Sequence, residues 1–156
     1  MTLKIGNMQN LLKQIHEVII EKTSVEKRLD RICRLLKKNV PNYDWVGFYL
    51  VDRENDRELI LGPYAGEPTE HTRIPFGKGI CGQAAETEQV FVIDDVSEES
   101  NYLSCNINVR SEIVIPIFKK DKIIGELDLD SHTPAAFGKE DEEFLSEICR
   151  MVSQIL

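Results

Sequence analysis

Between Ser111 and Ser131 apolar residues recur at every second position, and the run is broken once, at Lys119-Lys120-Asp121. That pattern demands two antiparallel strands joined by a tight turn, because only a strand sends successive side chains to opposite faces. A three-residue turn would set Phe118 opposite Lys122, Ile115 opposite Gly125, Ile113 opposite Leu127 and Glu112 opposite Asp128. One face then holds Ile113, Ile115, Ile117, Ile123, Leu127 and Leu129, while the other gathers Glu112, Glu126, Asp128 and Asp130. Like charges facing each other across a strand pair repel. Such a face is either open to water or built to bind a cation.

The flanking segments say what this pair packs against. Leu11, Leu12, Ile15, Val18 and Ile19 recur at helical spacing within residues 8–21. Thr23-Ser24-Val25-Glu26 has capping-box form with Thr23 as acceptor, and it starts a second helix that ends near Asn39, before Pro41. Tyr43 to Val51 is apolar on both faces and reads as a central strand; the charged turn from Asp52 to Arg57 joins it to a second strand, Glu58 to Gly62. Gly62-Pro63 and Gly66-Glu67-Pro68 mark a loop running to Pro75. A short helix from Ile80 to Glu86, a strand from Gln89 to Ile93 and a polar loop from Glu98 to Asn108 follow. Acidic residues 140–142 open a last helix, with Phe144, Leu145, Ile148, Cys149, Val152 and Ile155 as its apolar stripe. The order predicts an α+β fold in one domain, 1–156: N-terminal helices in 8–39, an antiparallel sheet in 43–131, and a C-terminal helix in 139–155 packed on the same face as the first two.

With 27 acidic and 19 basic residues the formal charge is -8, which disfavours nucleic acid and anionic membranes as partners. No apolar run has the length of a signal peptide or a membrane span, so a cytoplasmic protein is expected. Cysteines at 33, 81, 105 and 149 form no CxxC pair and have no His at ligand spacing, so neither a metal site nor a disulfide framework is expected. Cys33 and Cys149 fall on apolar stripes and read as packing residues. His71 stands alone in its loop and reads as surface rather than ligand. Gly77-Lys78-Gly79-Ile80-Cys81-Gly82 matches GxGxxG, but no strand feeds it and no βαβ unit surrounds it, so it reads as a turn into the short helix. Cys81 in the first turn of that helix is expected to have a lowered pKa.

Trp45-Val46-Gly47-Phe48-Tyr49, Gly77 to Gly82, Ser111 to Pro116 and Gly125 to Ser131 occur in the order of a GAF domain, which the chain resembles over nearly its whole length. Within that superfamily it is most similar to the free methionine-(R)-sulfoxide reductases, through Leu59 to Tyr64 and the placement of Cys105 seven residues before Glu112. The resemblance implies a GAF-like sheet with a ligand pocket on the face away from the terminal helices. It implies Cys105 as nucleophile, with Glu112, Asp128 and Asp130 holding the free amino acid and Trp45 and Tyr49 beside it. It also implies reduction through a Cys105 sulfenic acid, no resident cofactor, an external thiol reductant such as thioredoxin, and a homodimer. Cys81 matches a family cysteine and is the candidate resolving thiol; the family's third cysteine has no counterpart in Gly66 to Arg73. The alternative reading is a GAF module that binds a small molecule without catalysis.

Overall fold

Helix α1 (Thr2–Ile19) buries Met8, Leu11, Ile15, Val18 and Ile19, and begins one and a half turns before the stripe that predicted it. The structure, a computed structural model, describes residues 2–103 and 106–156, with side chains from residue 4 onward. Helix α2 (Val25–Asn39) is capped by Ser24, not Thr23: the extended backbone of Ser24 lets its hydroxyl accept from the Lys27 amide at 3.2 Å. Strands β1 (Trp45–Val51), β2 (Glu58–Ala65) and β3 (Arg73–Pro75) precede helix α3 (Gly79–Thr87). Strand β4 (Phe91–Ile93), a 3₁₀ turn at Val96–Glu98, strands β5 (Ser111–Lys119) and β6 (Lys122–Ser131) and helix α4 (Lys139–Ser153) complete the chain.

The six strands form one antiparallel sheet in the order β3-β2-β1-β6-β5-β4. The stretch read as a loop from Gly62 to Pro75 contains more sheet than its glycines and prolines suggested. Strand β2 runs on to Ala65, and Arg73–Pro75 adds an edge strand with Ile74 opposite Leu59. Pro63 is tolerated because the β1–β2 register slips by one residue between Gly47 and Tyr49, where an irregular ladder needs no amide from it.

The register of β5 on β6 differs from the expected one by two residues, with Glu112 opposite Asp130, Ile113 opposite Leu129 and Ile115 opposite Leu127. One residue comes from the turn, which has two residues rather than three: Lys120 (φ 52°) and Asp121 (φ 64°) both take left-handed conformations between paired Lys119 and Lys122. The other comes from an irregularity between Ile117 and Phe118. Two single slips restore the parity of the pleat, so the acidic and apolar faces are as expected above the irregularity. Below it parity is reversed, and Ile123 lies on the acidic side of the sheet, opposite Phe118, instead of on the helix side.

Helices α1, α2 and α4 cover one face over Val46, Phe48, Ile113, Ile115, Ile117, Leu127 and Leu129. On the opposite face α3 packs with Trp45, Tyr49, Leu59, Ile74 and Val114. Strand β1 is central and buried on both sides, as its composition requires. A buried polar anchor ties the helical layer: Asp141 accepts from Tyr43 at 2.7 Å, from the Gly138 amide at 2.9 Å and from Lys4 at 3.0 Å.

Candidate functional site

The pleat of β6 sends Glu126, Asp128 and Asp130 to the face that lacks the terminal helices, and β5 adds Glu112 directly opposite Asp130. Strand β1 on the other flank sets Tyr49 across from Glu126, Gly47 across from Asp128 and Trp45 across from Asp130. None of the four acids is more than 5% exposed. The open-water reading of this face is therefore excluded, because α3 and the segment before β5 close over it.

Helix α3 brings Cys81 down onto these acids. Its Sγ and one carboxylate oxygen from each of Glu112 and Asp128 lie within 4.8 Å of one another. They border a small cavity of about 10 Å³, room for about one water molecule, whose other walls include Tyr49, His71, Lys78 and Leu103. The Tyr49 hydroxyl donates to the His71 carbonyl at 2.8 Å, so the residue read as surface filler is a wall of the cavity through its backbone. Asp130 belongs to a second, larger cavity of about 370 Å³ with Lys37, Asp44, Trp45, Glu67, Asn106 and His132 on its walls.

Burial dominates the electrostatics here. Removal from water pushes Glu126, Asp128 and Asp130 above the ordinary carboxylate range, and the Asp128 charge pushes Glu126 and Asp130 further. The expected lowering at Cys81 does not occur. Burial, followed by the charges of Asp128, Glu126 and Glu112, holds the Cys81 thiol well above its usual value, and one helix turn cannot offset three carboxyls in a dry site. Neither oxygen of Glu126 has a hydrogen-bond partner of good geometry among the described residues, although the Cys81 thiol is close enough to interact with it. One oxygen each of Asp128 and Asp130 is likewise unpartnered.

The aromatic residues on β1 form the side wall. Trp45 stacks on Tyr64 with ring centroids 5.4 Å apart and lies 6.4 Å from Tyr49, while its indole donates to the Glu67 carbonyl. The indole ring lies over Gly47, where an added Cβ would stand 2.3 Å from it. The Gly-Lys-Gly turn is held from above by Asn101, which accepts from the Gly79 amide at 2.9 Å and donates to the Gly77 carbonyl at 2.8 Å. Leu103 fills the space over Gly79, whose φ of 65° and missing Cβ both suit the contact.

Of the residues singled out from the sequence, Cys81, Glu112, Asp128 and Tyr49 share the small cavity, and Trp45 and Asp130 share the larger one. Cys105 lies outside the described residues. Asn101 and Leu103 carried no signal in the sequence, since loop residues with structural duties look like any others, and Lys78 was visible only as part of the turn at residues 77–82. Glu126 was visible on the acidic face, but its pairing with Tyr49 depends on the β1–β6 register.

Comparison with known proteins accords with this arrangement. The family profile "GAF domain" matches residues 24–156. GAF domain-containing protein A of Dictyostelium discoideum is 38% identical over 144 residues, covering 92% of this chain and 89% of its own length. The free methionine-R-sulfoxide reductase of Escherichia coli is 34% identical over 147 residues, covering 94% of this chain and 87% of its own. The X-ray structure of free methionine-R-sulfoxide reductase from Neisseria meningitidis in complex with its substrate superposes with a TM-score of 0.89 at 36% identity, covering 95% of this chain and 87% of that one.

Proposed function

The chain belongs to the GAF domain family, and we propose that within it this protein reduces free methionine-(R)-sulfoxide to methionine. The observation that carries this reading is the buried set of Glu112, Asp128 and Asp130 beside the Trp45 and Tyr49 rings, with Cys81 on the same cavity as Glu112, Asp128 and Tyr49. It occurs in a chain similar over nearly its full length to reductases of that substrate. Carboxylates in a dry site bind an ammonium strongly, and an aromatic wall suits the thioether end of the amino acid.

In this reading Cys105 is the nucleophile. The Cys105 thiolate attacks the sulfoxide sulfur while a neighbouring carboxyl, kept neutral by burial, protonates the departing oxygen. The oxygen passes to Cys105 as a sulfenic acid; the sulfoxide sulfur is reduced by two electrons and methionine leaves. Cys81 then condenses with the sulfenic acid, giving a disulfide and water, and an external dithiol of the thioredoxin type reduces that disulfide. Because the Cys81 thiol is held protonated, an adjacent carboxylate takes its proton as it attacks. The cavity at Cys81 is far smaller than an amino acid, so entry requires Leu103 and the Asn101 hydrogen bonds to the turn at residues 77–79 to give way.

The test is turnover of the two epimers of free methionine sulfoxide with dithiothreitol or thioredoxin. Methionine should form from the R epimer alone, and Cys105→Ser should abolish it. Cys81→Ser should keep turnover with dithiothreitol and lose it with thioredoxin. Absence of turnover with both reductants refutes the enzyme reading in favour of a binding module.

A further inference from the structure

We propose that Cys81, Glu112 and Asp128, joined by Glu126, form a binding site for a thiophilic divalent cation, with zinc as its best fit. Three donors of metal-binding type already lie within 4.8 Å of one another on three separate elements, α3, β5 and β6. Tetrahedral zinc, with Zn–S near 2.3 Å and Zn–O near 2.1 Å, needs donors about 3.6 Å apart. Small side-chain rotations close that difference.

Glu126 is the independent sign of a missing ligand. It is wholly buried, both its oxygens lack a hydrogen-bond partner among the described residues, and it interacts with Asp128 and with the Cys81 sulfur. No described Lys, Arg or His forms an ion pair with Glu126, Asp128 or Asp130. A substrate ammonium brings one positive charge. A divalent cation brings two, takes the place of the carboxyl protons, and offers the unpartnered oxygens of Glu126 and Asp128 a partner.

The donor set selects among cations. Magnesium and calcium require six or more oxygens and avoid sulfur, whereas one thiolate with three carboxylates suits zinc and, as a probe, cobalt. On binding, the Cys81 thiol gives its proton to the buffer and no electrons move. This inference does not rest on the reductase reading. Where that reading also holds, the metal and the ammonium of the substrate compete for Glu112 and Asp128, and the metal holds Cys81 away from disulfide formation.

The experiment is titration of reduced, chelator-treated protein with cobalt(II) in the absence of substrate, followed by displacement with zinc. One equivalent of cobalt should produce a thiolate-to-cobalt absorption band in the near ultraviolet, and one equivalent of zinc should remove it. The band should persist in Cys105→Ser and vanish in Cys81→Ser. Glu126→Gln, nearly isosteric and checked for folding by circular dichroism, should weaken cobalt binding at least about tenfold while the band keeps its position. No band at millimolar cobalt, a band that follows Cys105 instead of Cys81, or unchanged affinity in Glu126→Gln would each overturn the proposal. None of these outcomes depends on whether methionine sulfoxide is turned over.

Discussion

Replacing Glu126 by Gln separates burial from charge in the acidic cluster. The amide has the shape of the neutral acid, so at low pH the two proteins should differ in stability only by a constant offset. The carboxyl of Glu126 is raised above its unfolded value by burial first and by Asp128 second. A group of that kind keeps its proton in the native state at pH values where the unfolded chain has already released it. Its contribution is therefore fully present below the unfolded pKa of about 4.3 and is lost progressively as pH rises toward the native value. Across that window one extra native proton gives a slope of about 1.4 kcal/mol per pH unit, always against the wild type. For a chain of this size that equals about 3–6 °C in Tm per pH unit. Urea denaturation of both proteins at half-unit steps from pH 4.5 upward measures the difference without interference from the overall charge, which nearly cancels between them. The variant should gain on the wild type steadily and then level off. A difference that is flat with pH, or one that grows in favour of the wild type, would show that Glu126 is ionised and satisfied in the native protein, and the reasoning above would fail.

Three further outcomes are expected. Tyr43→Phe removes the hydroxyl that donates at 2.7 Å to the fully buried Asp141, leaving Gly138 and Lys4 on its other oxygen; a loss of about 1–3 kcal/mol by chemical denaturation is expected, and under 0.5 would contradict the anchor. Gly47→Ala sets a Cβ against the Trp45 ring and should cost about 1–3 kcal/mol and change the emission of this single tryptophan; an unchanged spectrum would mean the ring does not lie there. Lys120→Asn with Asp121→Gly supplies the residues a two-residue turn with positive φ at both positions favours, and thermal melting should show a gain of about 0.5–1 kcal/mol; a loss would refute the turn geometry.

The β5–β6 pair shows why a wrong register can still predict the right face. The turn was read one residue too long and the irregularity after Ile117 was invisible, yet side chains in a strand repeat every two residues, so two single errors leave Glu112, Glu126, Asp128 and Asp130 together. Ile123, beyond the irregularity, had no such protection and changed face. At Cys81 the sequence shows a helix N-terminus and predicts a lowered pKa; the carboxyls that reverse the shift come from β5 and β6, at least 31 residues later in the chain.

The sequence by itself determined the elements, the two-faced strand pair, the resemblance to a family and the residues able to do chemistry, because these depend on side-chain period and on residue type. Only the tertiary structure decided that the acidic face is dry, that Cys81 meets Glu112 and Asp128 while Asp130 with Trp45 borders a second cavity, and that Glu126 lacks a well-formed hydrogen bond among the described residues. Burial and proximity are properties of what α3, β1 and the loop before β5 place over those carboxylates. No local stretch of sequence encodes the distance between a thiol on one element and acids on two others.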